Sequence, residues 1–132
     1  MATSVIILNG PIIQANYYLS EGIDCSAGKI VRITMPDEWD TANLTFQIST
    51  NGEFYNDLYY ANGDEYLIYA AKQRAIIIDQ EEWVPGLWVK IRSGTAAQPV
   101  VQTAYREFSM VLLVEGDAPV EDPTSRLGGS PK

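Results

Sequence analysis

Apolar and polar residues alternate along two short stretches of the chain, residues 44–49 and residues 87–92. Successive side chains of a β-strand point to opposite faces, so strict alternation predicts strands with one buried face. The positions expected in the core are Leu44, Phe46, Ile48, Val89 and Ile91. The turn sequence Thr50-Asn51-Gly52 follows the first stretch, and it predicts a hairpin that returns through residues 54–60.

Other stretches are rich in β-branched residues and are bounded by glycine, proline and asparagine. Further strands are predicted at residues 5–8, 12–16, 29–35, 65–71, 74–79 and 100–114. Only residues 37–42, after Pro36, resemble a single turn of helix. Short strands at regular spacing predict an all-β fold, an antiparallel β-sandwich of which the jelly roll is one form, with extended terminal arms.

The chain divides into three parts by composition. Residues 20–115 form the predicted sandwich, and residues 1–19 form an N-terminal arm or edge strands. Residues 116–132 contain three prolines, three glycines and no aromatic residue, which predicts a tail that is flexible or is ordered by assembly. Residues 1–13 are likewise expected to be ordered by contact with other subunits. The assembly arm comprises Glu115, Pro119, Pro123, Arg126 and Leu127.

The net charge of −8 over 132 residues restricts the partners. An acidic surface repels phosphate backbones and anionic lipids, so neither nucleic acid nor membrane is an expected partner. The first residues lack both a basic segment and a long apolar run, and no stretch has the length of a membrane span. We therefore expect the protein to be made and assembled in a cytoplasm.

The absence of histidine removes the commonest general base and metal ligand. No glycine-rich phosphate loop is present. Two acidic clusters remain, Asp37, Glu38 and Asp40, and Asp79, Glu81 and Glu82. Paired carboxylates can hydrolyse glycosides or bind calcium, but neither cluster has the spacing of a known loop motif, which favours solvated loop charge. The sequence predicts no enzyme, no metal site and no cofactor.

Aromatic residues give the sequence its one candidate ligand site. Four residues could stack on sugar rings if they lie exposed on a sandwich face: Trp88, Tyr55, Tyr59 and Tyr60. Aromatic residues also fill cores and protein interfaces, and this alternative is favoured. The single cysteine, Cys25, excludes an intrachain disulfide and is predicted to be a small buried residue.

Several motifs taken together resemble those of one group of proteins. They are residues 20–26 (SEGIDCS), residues 32–36 (RITMP) with Trp39, residues 44–52 (LTFQISTNG) with Phe54, and residues 90–95 (KIRSGT) with Pro99, Val100 and Gln102. Their order, over residues 20–114, resembles small proteins encoded among the head and tail genes of tailed bacteriophages and prophages. In that group Trp39 would anchor a loop under a sandwich edge, and none of these residues would be catalytic.

The resemblance implies a β-sandwich that is a component of the virion, assembled in the host cytoplasm. Capsid decoration, a head fibre and a part of the tail are the possible roles, and we expect capsid decoration on the outside of the head. The partners would be the major capsid protein or other virion subunits, with homo-oligomers on the particle. The alternative is a carbohydrate-binding module of a tail or fibre that recognises the host. An accessory domain of a glycoside hydrolase is the third and least favoured interpretation.

Overall fold

A computed structural model describes residues 3–78 and 87–115, and its regular structure consists of eight β-strands. The strands are β1 Thr3–Ile13, β2 Ile23–Cys25, β3 Lys29–Thr34, β4 Leu44–Ser49, β5 Asn56–Asp57, β6 Ala75–Ile77, β7 Leu87–Ser93 and β8 Arg106–Glu115. Over the described ranges the structure contains no helix that could cross a membrane.

The strands form two antiparallel four-stranded sheets, with orders β1-β8-β3-β6 and β2-β7-β4-β5. The first strand pairs with the last, the second with the seventh, the third with the sixth and the fourth with the fifth. This nested pairing is the topology of a jelly roll, in which a long antiparallel ribbon is rolled into two facing sheets. The predicted all-β sandwich is confirmed, and its jelly-roll form is the one observed.

The predicted core lies between the two sheets. Leu44 and Phe46 of β4 are fully buried, as are Val89 and Ile91 of the adjacent strand β7. Ile48 is only partly buried, since it lies near the end of β4 where the hairpin turn begins. Phe46 also contacts the ring of Tyr66, which a connecting segment supplies. Alternation in residues 44–49 and 87–92 therefore identified the central pair of strands in the second sheet.

Strand β8 supplies the first sheet with its central apolar stripe. Phe108, Met110 and Leu112 are buried, and β8 pairs with β1 on one side and with β3 on the other. The strand begins at Arg106, so the prediction of a strand from residue 100 is wrong for residues 100–105. In that segment the amide of Val100 donates to the carbonyl of Ser93 at the end of β7, and Gln102 and Thr103 hydrogen-bond to the loops at residues 14–18 and 37–42.

The two weak strands predicted around Asn9-Gly10-Pro11 form one strand, β1, with an irregularity between Asn9 and Ile12. Because β1 pairs along β8 of its own chain, the expectation that other subunits order residues 1–13 is corrected for Thr3–Ile13. The edge-strand interpretation of this segment is the one that the structure supports.

Two further strand predictions need correction. Residues 65–71 form no strand and make isolated antiparallel bridges, between Glu65 and Tyr59 and between Ile68 and Leu44. The returning arm of the predicted hairpin is reduced to the two residues of β5. The hairpin itself is present, since β4 and β5 pair antiparallel.

Residues 37–42 form no helical turn. Trp39 is buried, and its ring meets that of Phe108 edge-on at 5.5 Å between centroids. Its indole Nε1 donates to the carbonyl of Ala42 at 2.9 Å. These contacts hold the segment in an irregular loop, with the tryptophan packed against the sandwich.

Cys25 is buried, as predicted, and burial raises the pKa of its thiol to about 12, with a further contribution from the charge of Asp24. Several predictions fall outside the described residues. These are the second acidic cluster at residues 79–82, the turn at residues 85–86 and the tail at residues 116–132.

Replacing Phe46 with alanine should lower the free energy of unfolding by about 3–5 kcal/mol, because the change leaves a cavity between the sheets. Phe54→Ala is the matched control, since the Phe54 side chain is 77% exposed. Its cost should stay within about 0.5 kcal/mol. Denaturant unfolding of both variants measures the difference, and equal losses would contradict this description of the core.

Candidate interaction surface

Several long stretches of the sequence carry no charge, among them residues 1–20, 41–52 and 93–105, although the chain has 9 basic and 17 acidic residues. Residues 1–20 contain no Asp, Glu, Lys or Arg, and neither do residues 93–105. The fold brings the loop that follows β1 against the loop that precedes β8. The surface that these two loops form therefore contains no charged side chain of its own, although the carboxylates of Asp40 and Glu65 accept hydrogen bonds from Thr103 and Ala96.

Backbone hydrogen bonds tie the two loops together. The amide of Asn16 donates to the carbonyl of Gln102 at 2.8 Å, and the amide of Gln102 donates to the carbonyl of Tyr17 at 3.0 Å. Next to them, the amide of Ser93 donates to the carbonyl of Tyr18 at 2.7 Å. Asn16 has a φ of 69°, a left-handed conformation that asparagine tolerates better than most residues. The loops are therefore fixed relative to each other and to the end of β7.

Large apolar side chains project from both loops into solvent. Tyr17 is 63% exposed and Tyr105 is 53% exposed, and Tyr18 and Val101 are exposed beside them in sequence. We call residues 14–18 and 98–105 the aromatic loop surface. Tyrosine presents a large, stiff contact area with a polar tip, and such rings are enriched at protein interfaces.

A buried amide supports this surface from below. The side chain of Gln102 is fully buried, and its Oε1 accepts from the amide of Asp40 at 2.9 Å and from Nε of Arg106 at 3.0 Å. Its Nε2 donates to the carbonyl of Asp40 at 3.0 Å and to Oγ of Ser93 at 2.8 Å. Every donor and acceptor of the amide is thus used, which fixes the loop that carries Val101 and Tyr105.

The Asp40 carboxylate completes the support. It accepts hydrogen bonds from the amide of Thr103 at 3.0 Å, from the Thr103 hydroxyl at 3.2 Å and from Nη2 of Arg106 at 2.7 Å. Burial tends to raise the pKa of Asp40, but the hydrogen bonds from Thr103 and Arg106 and the positive charge of Arg106 hold it below its usual value of 3.8. The residue predicted as part of an acidic cluster is therefore a structural clamp.

The rest of that cluster does not converge on a site. Glu38 lies 3.9 Å from Nζ of Lys72, and both side chains are exposed. Among residues 3–78 and 87–115, no group of three or more acidic or cysteine side chains could hold a metal ion.

The four aromatic residues predicted as a sugar platform occupy two different environments. Trp88 is partly covered by the hairpin turn, where a Cβ on Gly52 would lie 3.0 Å from the indole ring. Gly52 has a φ of +79°, so the turn and the close approach to Trp88 both favour glycine. Tyr55 is also partly buried, with Nζ of Lys90 4.4 Å above its ring.

The other two predicted aromatics, Tyr59 and Tyr60, are exposed after β5, and Tyr60 packs on Tyr66 at 5.3 Å between ring centroids. Trp88 therefore lies against the hairpin turn and Tyr55 lies beside Lys90, whereas Tyr59 and Tyr60 are exposed after β5. The exposed tyrosines of the aromatic loop surface were missed in sequence. The uncharged run of residues 93–105 is the feature that could have identified them.

The outer face of the second sheet is closed by an ion-paired arginine. Alternation placed Arg92 on the polar face of β7, yet its side chain is buried. Its Nη2 lies 2.6 Å from Asp57 and 3.5 Å from Glu65, and its Nε donates to Oγ1 of Thr45 at 3.1 Å. These partners come from β4, β5 and the segment after β5, so Arg92 holds that segment across the sheet.

Comparisons of this chain with protein-family models, with curated proteins and with solved structures gave no match. The class of protein is therefore defined by the fold and by the surface described above. It is a jelly-roll sandwich with an uncharged aromatic loop surface held by a buried polar network.

Replacing Asp40 with asparagine should destabilise the protein at pH 7, because the ion pair with Arg106 is lost. A carboxyl group whose pKa is lowered by folding stabilises the folded state above its unfolded pKa, and this contribution disappears as the pH falls through the folded value. The stability difference between wild type and Asp40→Asn should therefore shrink below about pH 4. Denaturant unfolding at several pH values measures it, with Asp37→Asn, an exposed carboxylate of the same loop, as the control. A difference that stays constant with pH would contradict the clamp role.

Proposed function

We propose that this chain is a structural protein of a tailed-phage particle that decorates the outside of the head, and that it binds instead of catalysing a reaction. The observation that carries the proposal is the aromatic loop surface, which is uncharged in a protein of net charge −8. Cores of protein interfaces are depleted in charged residues and enriched in tyrosine. A surface of that composition is typical of a docking site.

The rigidity of the surface adds to the argument. Tyr17 and Tyr105 stand on loops that are joined by backbone hydrogen bonds and held by Gln102 and Asp40. Binding costs less when the contacting side chains are already ordered in the free protein. A preorganised surface suits a protein that attaches in many copies to a symmetric shell, where repeated weak contacts add avidity.

The fold supports a viral role only in part. Jelly rolls occur both in viral capsid proteins and in lectins, and a fold alone does not define a function. The motifs in residues 20–114 that resemble phage head and tail proteins are the reason to favour the particle. The choice of the head over the tail follows from the small size of the sandwich and from its neutral docking surface.

The net charge restricts the surface that the protein contacts. A copy with net charge −8 is repelled by a strongly acidic shell, so the contacted area should be neutral or basic. Since the aromatic loop surface carries no charge, we expect apolar burial to dominate and salt to have little effect on binding. Charged residues would then remain at the rim of the contact.

Carbohydrate recognition by a tail or fibre is the second candidate, because the exposed tyrosines could also stack on sugar rings. Sugar sites combine such rings with polar groups that converge on the ligand. In the aromatic loop surface Gln102 is buried and hydrogen-bonds within the protein, whereas the amide residues Gln14, Asn16 and Gln98 are exposed. Protein docking is favoured by the motifs that resemble phage head and tail proteins, and the exposed amides keep glycan binding as the second candidate.

The test is to strip the protein from particles and add back wild type and a Tyr17→Ser/Tyr105→Ser variant. If each tyrosine contributes about 2 kcal/mol, as interface hot spots do, the double variant should bind roughly a thousandfold more weakly. Tyr69→Ser is the matched control, because Tyr69 is exposed on another segment, and it should bind like wild type. Copies bound per particle are counted at low and high salt.

Equal occupancy by the double variant and wild type would overturn the docking role of the aromatic loop surface. Failure of wild type to bind heads, together with binding to host glycan, would transfer the function to the receptor-binding alternative.

A chain that ends at Glu115 tests the assembly arm separately. An extended segment of the length of residues 116–132 reaches roughly 50 Å, far enough to touch an adjacent subunit. We expect the shortened form to show lower occupancy at the same concentration. If both forms saturate the particles at the same concentration, the arm does not contribute to attachment.

A further inference from the structure

Over residues 3–78 and 87–115 the two sheets have four edge strands, and only one of these is long. Strands β2 and β6 have three residues each and β5 has two, whereas β1 has eleven. Proteins usually protect sheet edges by keeping them short, by placing charges or proline on them, or by covering them. Three edges of this jelly roll are short, so β1 is the exception.

Among the residues that the structure describes, none protects the first half of β1. Residues 3–9 contain neither a charge nor a proline. In an antiparallel pair, alternate residues direct their N–H and C=O groups away from the partner strand. Within the described part of the chain, residues 3–9 make hydrogen bonds only to β8, whereas farther along Ile12 donates to the carboxylate of Glu21 at 3.2 Å. The free edge is therefore limited to the first half of the strand.

The side chains beside this edge are also apolar. Leu8 pairs with the buried Met110, so the odd-numbered residues of this half of β1 face outward. Val5 and Ile7 are 60% and 63% exposed, and they lie opposite Leu113 and Val111 of β8. Val111 is itself buried and Leu113 is partly buried, so Val5 and Ile7 supply most of the exposed apolar area at this edge.

We propose that two copies of the chain pair antiparallel through β1, with Ile6 facing Ile6 across a two-fold axis. Val5 of each copy then lies opposite Ile7 of the other copy. This pairing joins the two four-stranded sheets of the copies into one continuous sheet and supplies partners for the outward N–H and C=O groups of both strands.

The sequence of the edge fits a second copy because it is self-complementary. In the proposed register the β-branched residues Val5 and Ile7 form two symmetric cross-strand pairs, which is a favourable combination in sheets. Each copy carries a net charge of −8, and the absence of charge in residues 1–20 lets two copies approach at this edge without like charges facing each other. An isologous contact of this kind closes as a dimer.

Sedimentation of the untagged full-length chain over a wide concentration range tests the proposal. Tags are removed because Thr3 pairs with Glu115, so the two ends of the β1–β8 ribbon lie together beside the edge. We expect a monomer–dimer equilibrium. Val5→Lys and Ile7→Glu should each raise the dissociation constant roughly tenfold, since each change removes two apolar cross-strand pairs.

The double variant Val5→Lys/Ile7→Glu defines the register. In the proposed dimer each new lysine lies opposite a new glutamate, so affinity should return toward the wild-type value. A pairing of Val5 with Val5 would instead place two lysines face to face and give no recovery. Ile77→Lys is the matched control, because Ile77 is 85% exposed on β6 at the other end of the same sheet. Circular dichroism verifies that every variant is folded.

A monomer at all concentrations would overturn the proposal. A dimer whose dissociation constant is unaffected by Val5→Lys and by Ile7→Glu would overturn it as well. If the free chain is monomeric and the β1 variants lose their binding to heads, the edge receives a strand from a shell protein. The pairing is a property of the chain alone, so its failure leaves the proposed attachment to heads to be judged by the tyrosine variants.

Discussion

The pairing of β8 with β1 on one side and with β3 on the other is the interaction on which the rest of the structure depends. Its inward side chains, Phe108, Met110 and Leu112, fill the first sheet's half of the core. Of its outward side chains, Leu113 and Val111 lie opposite Val5 and Ile7 of β1. Its first residue, Arg106, enters the buried network that fixes the aromatic loop surface. One strand thus connects the core to both surfaces that we assign to assembly.

Charged and uncharged residues have different places in the structure. The ion pairs of Arg92 and Arg106 are placed where segments must be held to the sandwich, whereas residues 1–20 and 93–105 carry no charge. Buried ion pairs contribute little net stability but are costly to break on one side, which makes them effective at specifying one arrangement. The same acidic chain can therefore remain soluble and still present a neutral area to a partner.

The periodicity of apolar residues in sequence predicted the central strands of the second sheet. Alternation in residues 44–49 and 87–92 identified β4, β7 and their core side chains, because strand periodicity is a property of neighbouring residues. The loop of residues 100–105 resembled a strand, since its apolar residues give no indication that Gln102 bonds to Asp40, 62 positions away. The candidate site was missed for the same reason. The loops that carry Tyr17 and Tyr105 come together only in the folded protein, and the absence of charge in both loops was the one indication visible in sequence.

The central claim is that two uncharged surfaces of this jelly roll, the β1 edge at residues 3–9 and the aromatic loop surface, are its assembly surfaces. Hydrogen–deuterium exchange of the protein mounted on particles, compared with the dilute free protein, tests it most directly. The account predicts that protection rises in residues 3–9 and in the aromatic loop surface, while the segment at residues 50–70 exchanges as it does in the free protein. Protection gained at residues 50–70 without any change in residues 3–9, 14–18 and 98–105 would contradict it.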